Sequence, residues 1–148
     1  MARIVELCDE LVASLGAVMP DHATVSRVYV PEVDSDRMEA NERLAMVFPV
    51  EDADGGAVSR GIDSTLYTIG VILCEKYTER GDIPNDWADE RVQWVEDALT
   101  RSLANARERL DGAVPESRET TVFDPELFAE GLFWSSTLIT FRDEHEAT

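Results

Sequence analysis

The sequence predicts an α+β domain: a mostly antiparallel or mixed sheet of about four strands, flanked by an N-terminal helix and one long helix. Three observations carry this. Apolar residues recur at helical spacing near the N-terminus and again from residue 87 onward. Runs rich in β-branched and aromatic residues lie between and after these stretches. Successive strand candidates are joined by hairpin-length connections, except around the long helix, which argues against an alternating βαβ fold.

The elements follow in order. From Arg3 to Ala17, Ile4, Cys8, Leu11 and Leu15 form one stripe; Gly16 is placed as a C-cap and Pro20 bars continuation. Thr24 to Val30 reads as a strand stopped by Pro31, and Glu32 to Glu42 as a polar, acidic connection. Leu44 to Val50 is the second strand; Pro49 places it at an edge or gives it a bulge. Glu51 to Gly61 reads as a loop or hairpin turn, signalled by Asp54-Gly55-Gly56. Ile62 to Tyr77 is apolar on both faces, which predicts a central strand covered on at least one side by helices. Thr78 to Asp86 is a loop, with Asn85 or Asp86 as cap for the helix from Trp87 to Leu110. Its stripe is Ala88, Val92, Val95, Leu99, Leu103, Ala106 and Leu110, and Gly112 and Pro115 end it. Glu116 to Phe123 is a candidate short strand, Pro125 to Gly131 a turn or helical turn, and Leu132 to Arg142 the last strand. The length, 148 residues, fits one domain. It spans 1–142, and 143–148 are expected as a flexible polar tail.

Thirty-one acids against 13 bases give a net charge of −18. Binding to phosphates needs Lys and Arg to displace counterions, so direct nucleic-acid binding is disfavoured. An acidic wall along which DNA slides without sticking is compatible with this charge. Cys8 and Cys74, both in apolar patterns, read as buried thiols in a reducing compartment, with a disulfide the less favoured alternative. The N-terminus has no apolar signal-type region, and no run reaches the ~18 apolar residues of a membrane span.

No residue pattern nominates a reaction. The acidic stretch from Glu51 to Gly56 departs from a calcium loop, with Gly56 where a ligand and Ala57 where a glycine is needed. His22 and His145 lie near opposite ends of the chain without partners at metal-ligand spacing, and both read as surface residues. Asp63 and Glu75 are the best-placed carboxylates for acid–base work, but strand ends commonly carry charge. Ser135-Ser136 lack the glycine pattern of a nucleophile elbow. No catalytic residue, cofactor or metal site is therefore expected. Trp87 and Trp94, seven residues apart, share a helix face offset from the aliphatic stripe, which offers either a broad core contact or a subunit interface. Phe133, Trp134 and Phe141 pose the same choice on the last strand.

The order of parts resembles the tail terminator and neck (tail-completion) proteins of tailed bacteriophages. The likeness rests on Tyr67-Thr68-Ile69-Gly70-Val71, a strand of type Y-x-I-x-V, and on Val95-Glu96-Asp97-Ala98-Leu99, a helix of type V-E-x-x-L. The ending from Asp124 to Phe141-Arg142 adds an aspartate turn and a strand closing on an aromatic and an arginine. It covers roughly Ile62 to Arg142, and the first sixty residues only in element order. The resemblance implies a non-enzymatic virion structural protein. It would form a homo-oligomeric, hexameric ring that caps the tail tube, meets the head connector and neck proteins, and lets DNA pass without specific binding. It implies a place in the virion tail or neck, with assembly in the host cytoplasm. Candidate interface residues are Trp87, Trp94, Phe133, Trp134, Asp52 and Asp54. A second class of function, a small acidic binding or inhibitor module that mimics DNA, needs carboxylates spaced along one face.

Overall fold

The computed structural model describes residues 2–19, 23–34, 37–39, 42–77, 82–106, 110 and 112–146. It is an α+β fold built on one mixed five-stranded sheet. In chain order the elements are α1 (Arg3–Val18), β1 (Ala23–Arg27), β2 (Arg43–Ser59), β3 (Ile62–Lys76), α2 (Asn85–Ala106), β4 (Ala113–Thr121), α3 (Pro125–Ala129) and β5 (Leu132–Glu146). The sheet order is β1-β2-β3-β5-β4. Only β1 and β2 run parallel; the other neighbours are antiparallel. The candidate short strand from Glu116 to Phe123 is real, running from Ala113 to Thr121, and makes the fifth.

The apolar runs set the layers. Alternation along β3 sends Tyr67, Ile69, Val71 and Leu73 to the face covered by α1 and α2. There they meet Leu7, Leu11 and Leu15 of α1, Val95 and Leu99 of α2, and Phe133, Ile139 and Phe141 of β5. The opposite face carries Met46, Ile72 and Cys74, with Val28, Val33, Met38 and Leu127 packed over them. Gly70 lies on that second face, directly under the Phe48 ring, where any Cβ would collide with it. β3 is thus the central strand, with apolar cover on both sides.

Several boundaries differ from the sequence reading. Gly16 lies inside α1, whose C-cap is Met19. α2 begins at Asn85, so the expected caps are helical, and Ala88 N–H bonds the Pro84 carbonyl. The expected start of the loop, 78–81, lies outside the described residues, as does 107–109 at the expected end of the long helix. β1 stops at Arg27, although Val28 N–H still reaches the Val47 carbonyl at 2.9 Å.

The largest correction concerns Glu51 to Gly61. It is not a loop: β2 runs through it to Ser59 and the chain reverses at Arg60–Gly61, where Gly61 has φ +81°. Three register shifts, between Pro49/Glu51, Asp54/Gly56 and Ala57/Ser59, absorb the residues that read as a turn. Gly56 takes φ +80° and donates its N–H to Asp54 Oδ1, so Asp-Gly-Gly makes a bulge within the ladder. Pro49 sits at the first of these shifts, beyond the last β1 partner of β2. The polar stretch from Asp143 is also not a free tail as far as Glu146. It continues β5 and pairs with Ile62 to Thr65, and Arg3 of α1 donates to Asp143 at 2.9 Å. Residues 147–148 lie outside the described residues. No helix among those described is long and apolar enough to cross a membrane.

Candidate functional site

Glu75, the better enclosed of the two candidate acid–base carboxylates, is 1% exposed near the end of β3. Arg43 of β2 donates Nε to Oε1, and Arg91 of α2 donates Nε and Nη2 to Oε2 at 3.0 and 2.6 Å. Both guanidinium groups lie over indoles: Arg43 is 4.7 Å from the Trp94 ring centroid and Arg91 is 4.2 Å from that of Trp87. Trp87 in turn makes edge contacts with Tyr77 and Phe133. The seven-residue spacing of the tryptophans therefore serves one purpose. It places two aromatic plates beside a carboxylate that ties β2, β3 and α2 together. With both carboxylate oxygens taken by fixed donors, Glu75 acts as a structural clamp.

The other carboxylate, Asp63, lies on a different structure. From Glu51 the far halves of β2 and β3 and the end of β5 run outward as an arm, with β4 alongside as far as Ala113 and three strands beyond it. At about 3.3 Å per residue, its nine β2 residues 51–59 reach at most ~30 Å. Register puts Asp54, Thr65 and Asp143 in one row and Asp63 beside His145 in another. Asp52, Asp54, Asp63 and His145 line a shallow cleft on one face of this arm. His145 Nε2 is 3.0 Å from Thr65 Oγ1, so this histidine is part of the sheet. His22 lies outside the described residues. On the arm's other face Arg142 bonds Glu116, the Gly55 carbonyl and Ser64 Oγ, which fastens the arm to β4. Among the described residues no three His, Cys, Asp or Glu side chains are arranged to hold a metal ion. The acidic stretch Glu51 to Gly61 runs out along this arm. The Glu32 to Glu42 connection instead lays Val33 and Met38 on the second face of the sheet.

The expected interface residues divide. Asp52 and Asp54 are exposed on the arm. Trp87 and Trp94 are half-buried against α2's own layer, and Trp94 Nε1 is enclosed without a hydrogen-bond partner among the described residues. Trp134 is half-buried on the opposite face near Leu127 and Leu132. Phe133 is fully enclosed and presents no surface. Ser135 is buried, its hydroxyl turned to the Thr121 carbonyl.

Two surface features escaped the sequence reading. Tyr29 and Val30 are each 66% exposed, more than any other large apolar side chain described. A groove of about 180 Å³ runs between α2 and β4, lined by Val92, Val95, Leu99, Arg118, Thr120 and Val122. Val92 belongs to the helical stripe, but at 36% exposure it faces this groove. Only the two-faced apolarity of α2 hinted at it.

Cys8 and Cys74 are free thiols on opposite faces of the sheet, which separates them. Burial pushes Cys8 up to about 11 and Cys74 up to about 12, against an ordinary 9.0. A thiol raised in the native state keeps its proton while the unfolded chain loses it. Stability should therefore fall as pH rises from about 9 through 11. Replacing both cysteines by Ala should flatten that stretch of the stability-versus-pH curve, as read by urea denaturation.

No protein-family model matches the chain, and no curated protein matches it.

Proposed function

We propose that this protein is a structural component of a tailed-phage virion, a tail terminator or neck protein. In this reading it works as a homo-oligomeric ring that caps the tail tube and meets the head connector. The observation that supports this best is the acidic three-stranded arm. It extends past the helical layer as a bulged piece of sheet, and Asp52, Asp54 and Asp63 share one of its faces, beside Asp143 paired to Arg3. Such a surface repels phosphate, as the wall of a channel that passes DNA must. The sheet also ends in strands able to accept another strand, the physical basis of capping by strand addition. The reading assigns no catalytic step, since the most enclosed carboxylate is held by two arginines.

The same face of aspartates favours a second reading, an acidic module that occludes a basic partner. Light scattering behind a sizing column, at low and high salt, separates the two. A closed species of about six subunits, promoted by salt that screens subunit repulsion, is expected for the ring. A monomer at every salt concentration sinks the self-assembling ring and leaves the acidic module.

A further inference from the structure

The sheet carries a knob at one edge and a groove at the other. At the β1 edge, Tyr29 and Val30 stand out into solvent at 66% exposure. Arg27 braces the Tyr29 ring at 5.5 Å and is itself anchored on Asp9 of α1 at 2.8 Å, so the aromatic is presented in a set direction. At the β4 edge lies the groove against α2, with exposed Val92 and Val122 at its rim. A void of about 150 Å³ suffices for a benzene ring, so this one admits a large side chain.

The two features are level with each other. Arg27 pairs with Val47, Val47 with Val71, Val71 with Thr137 and Thr137 with Thr120. One row of the sheet thus runs from the residue bracing the knob to a residue lining the groove. The strand directions also suit: a copy shifted along this row sets its β4 antiparallel to β1. Aligned so, Arg27 of one copy faces Thr120 of the next and Val25 faces Val122, with Tyr29 just past the end of β1. The segment from Thr24 to Val30 carries a single charge, Arg27, whereas β4 holds Glu116, Arg118 and Glu119 and the groove wall adds Glu96. In a chain of net charge −18, this edge, whose one cation is paired with Asp9, meets the acid-bearing β4 edge without adding a carboxylate of its own.

We propose that the groove between α2 and β4 receives Tyr29 and Val30 of a second copy of this chain, joining the β1 edge of one subunit to the β4 edge of the next. The contact is head-to-tail: each subunit gives its knob to one neighbour and its groove to the other. It rests on the self-assembling reading above and names the surfaces that reading uses.

The test removes each half in turn. Tyr29→Ala with Val30→Ser takes away the knob, and Val122→Glu spoils the groove; all three positions are exposed, and near-ultraviolet circular dichroism checks that the fold persists. Sedimentation velocity should show self-association weakened roughly tenfold or more in each variant. An equimolar mixture of the two should yield a species of two subunits and nothing larger, because only one intact knob and one intact groove remain to meet. Full assembly in either variant, or a mixture restored to wild-type size, overturns the contact and leaves a ring built on other surfaces. A wild type that stays monomeric overturns both. Open chains of unlimited length, lost in both variants, keep the contact and remove the closed ring.

Discussion

Glu75→Ala should cost roughly 3 to 5 kcal/mol of folding stability, the penalty for leaving buried charge without its partner. Arg91 is 8% exposed and would keep only the exposed Glu90 as a carboxylate partner, while Arg43 would lose its only carboxylate shown in this cluster. The cost is asymmetric. Changing Arg43, Glu75 and Arg91 together to Met, Leu and Met removes these three charges at once and leaves only the exposed Glu90, and such replacements are often neutral or stabilising by about 1 to 4 kcal/mol. Urea denaturation of the single and triple variants measures both. A single variant that loses less than about 1 kcal/mol would show that water reaches the cluster and that the clamp is superficial.

Phe133→Ala should lose about as much, roughly 3 to 5 kcal/mol, by leaving a cavity in the helix-facing core. Phe133 is fully enclosed, pairs in register with Glu75 and has the Trp87 ring 6.4 Å away. The loss should appear in the unfolding midpoint of the monomer and be the same at every protein concentration. Trp134→Ala, half-buried on the opposite face, should cost less. An unfolding midpoint unchanged in Phe133→Ala, together with weaker self-association, would return Phe133 to an interface.

The sequence made the two helices and the central strand legible because each carries a strong period. α1 keeps its stripe over four turns, and β3 is apolar on both faces through its buried half. The arm was hidden for a physical reason. Residues 51–59 face water almost throughout, so no hydrophobic alternation marks them, and what holds them extended is backbone pairing with 62–68 across the hairpin rather than burial of their own side chains. Asp143 to Glu146 are concealed in the same way. The Glu75 clamp was half legible: a carboxylate in an apolar run signals a buried partner, but Arg43 and Arg91 are brought to it only by the tertiary fold. Of the six expected interface residues, Phe133 is the one whose burial leaves nothing to offer a partner.

β5 follows both β3 and β4 in the chain, yet it sits between them. While the ribosome is still making residues 132–146, β3 and β4 have no common neighbour, and the helix-facing core lacks Phe133, Ile139 and Phe141. Neither the groove wall on β4 nor the third strand of the arm can be in place before then. A growing chain therefore holds β3 and β4 apart until β5 has slotted between them.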